Sequence, residues 1–404
     1  MHAGALVFVA RLERSPSLRA KPLSGVRVLD LTRLLPGPMA TLHLADMGAD
    51  VVKVEDTAAG DYAREMGRVR DGVSDFFRLI NRNKRAIQLD LKHPQGGEVF
   101  LRLAKDADIL VESFRPGVMT KLGLGYEAIS TINPRIVYCS ISGYGQDGPY
   151  AGRAGHDINY IGYAGVGGQI GTEAAPVVPN FQIADLLGGA LMPAMGILAA
   201  LLDARASGRG RYVDVAMTDA VLAHAIFPLL GYFERGQTPV RGTGMLDGGL
   251  PCYNVYRTKD NRWMAVGALE WKFWERLCEA LGCPELKEKH LVRGTEAKAV
   301  TARLAAIFAA RTQREWREAF DRADCCVSPV LAIDEVLENE QLRARGMIRD
   351  AGGSIEFGLP VKFSEFQFAI ERHAPARGEH TEEVLREFGY GDAEIEGLRK
   401  SGAI

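Results

Sequence analysis

From Leu23 to Ser140 short β-branched runs alternate with helical stretches, and that alternation leaves few folds open to the chain. Gly25-Val-Arg-Val-Leu-Asp-Leu31 reads as a strand. Pro36 to Met47 reads as a helix, opened by Pro36-Gly-Pro38 and stopped by Gly48. Strands are expected at Val51–Val54, Ala86–Leu91, Ile109–Val111 and Ile136–Ser140, with helices at Pro94–Lys105 and Val118–Ile129. A strand that returns to its sheet through a helix must lie parallel to its neighbour. The expected class is therefore α/β, with a Rossmann-like parallel-sheet large domain and helices on both faces. The first strand-to-helix turn, Thr32 to Pro38, is not G-x-G-x-x-G, so nothing marks the sheet as a dinucleotide domain.

The pattern changes further on. A glycine-dense stretch, Gly165 to Gly171, precedes a long apolar segment from Leu186 to Leu202. Gly188, Gly189, Pro193 and Gly196 are expected to interrupt that segment, which leaves no run of membrane-spanning length. Tyr212 to Val215 then reads as a strand. The expected organisation is a large domain over residues 22–224, a smaller α+β domain over 225–345, and a return segment, 346–404, that completes the large domain. Residues 1–21 read as a disordered extension or an upstream start, since Glu13 and the lack of a small-residue cleavage pattern argue against secretion.

Bulk charge narrows the partners. The formal net charge is −2, so no global basic field exists to hold nucleic acid or an acidic membrane. An anionic ligand must be met by local cations. The six cysteines form no CxxC pair and no zinc-finger spacing with His, so no metal site is expected. Free thiols in a reducing compartment fit them better, and a cytoplasmic location is the expectation. The terminal Ser-Gly-Ala-Ile is not the peroxisomal Ser-Lys-Leu.

Four places carry possible chemistry. In Ala154-Gly-His-Asp-Ile-Asn-Tyr160, Gly155 lets backbone approach a ligand, and Asp157 and Asn159 suit a helix cap or an orienting partner for His156. A lone His is nonetheless more often structural than catalytic. Asp185 is the only charged residue from Phe181 to Leu202. It opens an apolar helix, where an N-cap belongs. Read functionally, it is a carboxylate between apolar walls, with Gly188 and Gly189 leaving room for a ligand chain and backbone N–H groups nearby for an oxyanion. Glu270 closes Val266-Gly-Ala-Leu-Glu270 before an aromatic helix, and its bland reading is a carboxylate favoured by the helix dipole. Finally, Arg82, Lys84, Arg85, Arg115 and Lys121 flank strands of one sheet and could converge on phosphates, unless they are solvated surface charges.

These pieces, in this order, resemble the family III CoA-transferases, a group that includes formyl-CoA transferase, carnitine CoA-transferase and alpha-methylacyl-CoA racemase. The likeness runs from about Leu23 to Phe388. It rests on Leu23–Leu31 with Pro36-Gly-Pro38, on Asn83-Lys-Arg85 through Asp90-Leu-Lys92, and on Glu379-His-Thr-Glu-Glu383. Gly155-His-Asp-Ile-Asn-Tyr160, Leu246-Asp-Gly-Gly-Leu-Pro251 and Val266–Glu270 are similar to segments of the racemase branch.

The resemblance implies that His156 and Asp185 form the proton-transfer pair, with Glu270 in support. It implies that Gly155, Asp157, Ile158, Asn159 and Tyr160 meet the thioester end. Leu89, Asp90, Leu91, Lys92, Ser113, Phe114, Arg115 and Lys121 would meet the coenzyme A portion. Coenzyme A would be part of the acyl-CoA substrate, with no prosthetic group. The implied assembly is an intertwined homodimer, its site between domains, with neither membrane nor nucleic acid as partner. Two positions depart from the racemases: Asp56 stands where they carry Arg, and Trp271 where they commonly have Pro.

Overall fold

The computed structural model describes residues 20–351 and 354–404. All but the last two residues of the expected N-terminal extension lie outside the described residues.

Six strands form the main sheet: β1 (Arg27–Leu31), β2 (Asp50–Glu55), β3 (Lys84–Gln88), β4 (Ile109–Glu112), β5 (Val137–Ser142) and β6 (Tyr212–Ala216). Their spatial order is β3-β2-β1-β4-β5-β6, and every neighbouring pair is parallel. The chain starts in the middle, builds outward to β3, then crosses to the other side of β1. Loops leaving β1 and β4 therefore diverge and open a crevice at the carboxyl ends of the strands, where doubly wound sheets bind ligands.

Alternation along each strand supplies two cores. Leu29, Leu31, Ile87, Leu110 and Tyr138 face one way, and meet Phe100, Ile129, Val384 and Leu385. These come from α2 (Pro94–Lys105), α4 (Tyr126–Ile132) and α10 (Thr381–Glu387). Val28, Val51, Ile109, Val137 and Ile141 face the other way, against Ala40 and Leu44 of α1 (Pro36–Asp46) and Ile197 and Leu201 of α6 (Met192–Ser207). The expected helix over Val118–Ile129 is instead two: α3 (Val118–Lys121) and α4. Gly123, at φ +73°, takes the chain out of the helix between them. A last helix, α11 (Asp392–Ser401), was not anticipated; Glu394 accepts the Gly391 N–H at its start, at 2.8 Å.

The apolar segment also differs from expectation. Ala184–Leu191 is π-helical and runs into α6 without a break. Within this 24-residue helix an 18-residue window has a mean hydropathy of 1.8, so by length and composition the helix could cross a membrane. Pro193 does not interrupt it, because it falls in the first turn of the α-helical part. Gly188 and Gly189 do not make room for a ligand either. A Cβ at Gly188 would lie 2.8 Å from the Met217 Cα, and one at Gly189 2.3 Å from the Pro36 Cβ. They let the helix close onto its neighbours.

Below the first turn lies a buried polar knot. Asp30, Lys53, Asp61 and Lys84 are all buried. Asp30 accepts from the Thr32 N–H (2.9 Å), the Thr41 hydroxyl (2.6 Å) and the Lys84 ammonium (3.1 Å). Lys84 Nζ also donates to Pro38 O, Thr41 Oγ1 and Asn81 Oδ1. Burial would raise the Asp30 carboxyl, but Lys84 and Lys53 hold it below its ordinary range. Lys53 pairs with Asp61 at 2.8 Å and donates to Thr32 O. The turn that begins at Thr32 is thus pinned from beneath.

By internal contacts the chain forms two units. The first runs to Tyr160, resumes over Ile183–Ala220, and ends with Arg343–Ile404; the second comprises Ile161–Gln182 and Val221–Leu342. The glycine-dense stretch thus belongs to the second unit, in place of the expected large domain. Arg241 donates to Gly168 O at 2.8 Å and Lys298 pairs with Glu173 at 3.0 Å, which ties it there. The second unit contains the antiparallel sheet β7 (Tyr253–Arg257), β8 (Trp263–Gly267) and β9 (Val327–Pro329), with β8 in the middle. Helices α7 (Trp271–Leu281), α8 (Gly294–Phe308) and α9 (Gln313–Phe320) supply Trp274, Leu304, Phe308 and Trp316 to its core. Both indole N–H groups are satisfied by carbonyls, of Leu286 and Phe308 among them.

Candidate active site

The carboxyl edge of the main sheet gathers much of what the sequence singled out. Leu89–Lys92 follows β3 directly, and Ser113–Arg115 follows β4. Leu89 is core; Asp90 accepts the Lys92 N–H at 2.9 Å and so shapes its own turn. Lys92, Arg115 and Lys121 are exposed. None of the three has an ion-pair partner among the described residues. At the crevice between β1 and β4, the Arg33 N–H donates to Ser113 Oγ (3.3 Å), and its guanidinium lies 5.4 Å from the Phe114 ring centroid. Asp56 pairs with Arg33 at 2.7 Å and accepts the N–H groups of Ala58, Ala59 and Gly60. The residue that departs from the racemases therefore has a local structural task.

The other three cations are spent elsewhere, and being buried and paired they are neither free for phosphate nor solvated surface charges. Arg82 pairs with Asp46 at 2.6 Å, Arg85 with Asp50, Glu383 and Glu387, and Lys84 with Asp30. The reason is polarity. They stand at the amino end of β3, away from the crevice.

Asp157, the residue after His156, bonds the start of the helix that carries Asp185. Helix α5 (Asp157–Tyr163) starts just after His156, whose N–H is accepted by Asn159 Oδ1 at 3.0 Å. The His156 side chain is exposed. Asp157 Oδ1 accepts the N–H of Ala184 at 2.6 Å and that of Asp185 at 3.1 Å. The capping reading of Asp185 is thereby overturned. Asp157, from another helix, does the capping, and Asp185 sits inside the first π-helical turn. Its carboxylate accepts no hydrogen bond from the described residues. Of the backbone N–H groups at the start of this helix, offered as oxyanion donors, those of Ala184 and Asp185 are taken by Asp157.

Burial pushes the Asp185 carboxyl up to about 7, and the Asp157 charge adds to the rise. Tyr160 lies in the same field. Burial raises its phenol, the Asp185 charge adds to that, and Arg115 opposes it. The Tyr160 ring also fixes the loop before His156. A Cβ at Gly143 would stand 2.2 Å from that ring and one at Gly155 2.7 Å, and its hydroxyl donates to Gly155 O. Ile158 is exposed. Glu270 belongs to the second unit, exposed at the start of α7, where its carbonyl accepts the Phe273 and Trp274 N–H groups.

Asp157→Ala should cost about 1–2 kcal/mol, the ordinary loss for a removed cap, measurable by urea unfolding. It should also lower the Asp185 carboxyl by removing a like charge, readable from that carbon's NMR titration.

A doubly wound sheet, a crevice at its carboxyl edge whose cations Lys92, Arg115 and Lys121 have no ion-pair partner among the described residues, and a carboxyl raised to about 7 at Asp185 define an α/β protein of enzyme type. Comparison with known proteins gives the family. The sequence pattern of CoA-transferase family III matches residues 23–381. Alpha-methylacyl-CoA racemase of Homo sapiens is 37% identical over 95% of this chain and 97% of its own. Succinyl-CoA:glutarate CoA-transferase of Mus musculus is 34% identical over 95% of this chain and 90% of its own. Among solved structures, a CaiB/BaiF family protein from Brucella suis superimposes with a TM-score of 0.81 at 29% identity, covering 92% of this chain and 100% of that one. The chain belongs to CoA-transferase family III, whose members include both transferases and racemases.

Proposed function

We propose that the protein racemises 2-methylacyl-CoA thioesters by moving a proton at Cα. One residue of the pair His156 and Asp185 removes the proton from one face of the carbon. The other returns a proton to the opposite face of the thioester enolate. Glu270 is kept as a supporting carboxylate on the strength of the resemblance alone. Coenzyme A enters as part of the substrate, held by Leu89–Lys92, Ser113–Arg115 and Lys121, and no prosthetic group takes part.

One observation carries this reading. Asp185 has a carboxyl with no hydrogen-bond partner among the described residues, poised near pH 7. Such a group can both give and take a proton under working conditions. In a transferase the same oxygen would attack the thioester and form an acyl-enzyme anhydride. The transferase relatives at 34% identity favour that second reading. The racemase relatives at 37% identity favour the first.

The proposal includes a homodimer. Leu191, Met195 and Leu202 are 51%, 60% and 71% exposed along one long helix, at spacings of four and seven residues that align them on one face.

The test is incubation of one enantiomer of a 2-methylacyl-CoA without any acceptor acid. Loss of optical purity supports the racemase. Retained configuration, with CoA passing to an added carboxylic acid, supports the transferase instead.

A further inference from the structure

The carboxyl end of β4 holds a second acid that the proposed reaction does not use. Glu112 is the last residue of that strand and only 4% exposed. Its Oε2 accepts the N–H of Phe114 at 2.7 Å, and Ser140 on β5 bonds it as well. It lines a cavity of about 330 Å³ that Arg115, Tyr126 and Gln146 also border. One carboxyl thus fixes the turn Ser113-Phe114-Arg115 and faces the space beside Arg115.

The surroundings leave this acid short of positive charge. Asp214 and Tyr212 face it from β6 and Tyr138 and Cys139 from β5, while Glu127 of α4 and Arg115 of its own turn border the same cavity. Arg115 is the only cation in that set, and it makes no ion pair with Glu112. Burial pushes the Glu112 carboxyl up to about 7, hydrogen bonds from Ser140 and Phe114 oppose that, and Asp214 adds to it.

We propose that Glu112 is a positioning residue for the turn that carries Arg115, and that it takes up a proton when the anionic part of a CoA thioester binds there. The proposal rests on the reading that Ser113–Arg115 meets the coenzyme A portion. Its physical cause is simple. A ligand phosphate beside a carboxylate disfavours the ionised form, because the two negative charges repel each other across the cavity edge. Coupling is reciprocal, so protonation must tighten binding as much as binding favours protonation. The proton comes from solvent to a Glu112 oxygen, and no covalent bond of the ligand changes.

Calorimetry with acetyl-CoA, in buffers of different ionisation enthalpy between pH 6 and 8.5, reads the proton directly. The wild-type protein should take up a fraction of a proton, most strongly around pH 7 to 8, and its Kd should weaken several-fold toward pH 8.5. Glu112→Gln keeps an acceptor for the Phe114 N–H but cannot titrate. It should bind with that uptake removed and a flatter Kd against pH. Protons exchanged by the ligand's own phosphate are common to both proteins and cancel in the difference. Should the variant fail to fold, NMR titration of the Glu112 carboxyl carbon in the wild type, with and without acetyl-CoA, carries the test: its midpoint should move up on binding, and an unmoved midpoint overturns the proposal. Equal uptake in both proteins, or binding to the wild type with none, overturns the proposal. No binding of acetyl-CoA at any pH overturns it together with the function proposed above.

Discussion

Asp185→Asn is expected to lower turnover by about three orders of magnitude and, above pH 7, to make the protein more stable. The first effect follows from the role proposed for the carboxyl, since an amide neither takes nor delivers the proton. The second follows from its environment. Asp185 has an ordinary value of 3.8 and is raised to about 7 in the folded chain. Between those values the folded state holds a proton that the unfolded state has lost, so stability falls as pH rises through this window. Above about pH 7 the whole penalty is present, and below about pH 4 it vanishes. The shift corresponds to a few kcal/mol, and solvent screening at a partly exposed carboxyl reduces this to about 1–3 kcal/mol. Thermal melts at pH 4 and pH 8 check it: the variant should gain only at pH 8. Because Asp157 supplies the cap, no compensating loss of helix stability is expected. An equal change at both pH values would contradict the assigned environment.

Lys84→Met should destabilise the protein by about 3–5 kcal/mol, the loss typical of one removed partner in a buried ion pair. The replacement has similar volume, so packing is nearly kept. What changes is charge. Asp30 loses the cation 3.1 Å away, while Pro38 O, Thr41 Oγ1 and Asn81 Oδ1 lose a donor. A change of that size is a large part of the 5–15 kcal/mol usual for a folded protein. Urea unfolding measures it. Lys92→Met, at an exposed lysine on the carboxyl edge, is the contrast: it should leave stability within about 0.5 kcal/mol and weaken acyl-CoA binding. A loss below 1 kcal/mol for Lys84→Met would mean that the knot does not hold the first turn.

Much of the sheet was legible because its signals are local. Pro94 opens a helix that ends at Lys105, as its apolar spacing required, and β1, β2 and β4 fall on their β-branched runs. The site was legible in part. His156 and Asp185 stood out as a histidine after glycine and a lone charge in an apolar stretch. Their connection was not legible, since the bond from Asp157 to the Asp185 N–H spans 28 residues and leaves no local trace. That long-range bond is also why the capping role went to the wrong aspartate.

Two further features were missed for different reasons. Lys53 lies in an otherwise apolar run, and a lysine within Val51-Val-Lys-Val54 is a readable sign of a buried partner; Lys84, opening the edge strand β3 beside Arg85, gives none. Glu112 carries no such sign. A glutamate closing a strand usually reaches water, and only the Phe114 and Ser140 bonds reveal that this one does not. Among the cations, spacing alone could not separate the two ends of the sheet. Arg82 precedes β3 and Arg85 is its second residue, while Lys92 and Arg115 follow their strands, and only the latter end opens on the crevice.

The central claim is that His156 and Asp185 act on opposite faces of one carbon. Its most direct test is deuterium entry at Cα in D₂O, measured for each enantiomer of a 2-methylacyl-CoA with the wild-type protein, His156→Gln and Asp185→Asn. The account predicts exchange of both enantiomers by the wild type. Each variant should exchange one enantiomer only, a different one in each case, and neither should racemise. Exchange of both enantiomers by either variant, or none by the wild type, would contradict it.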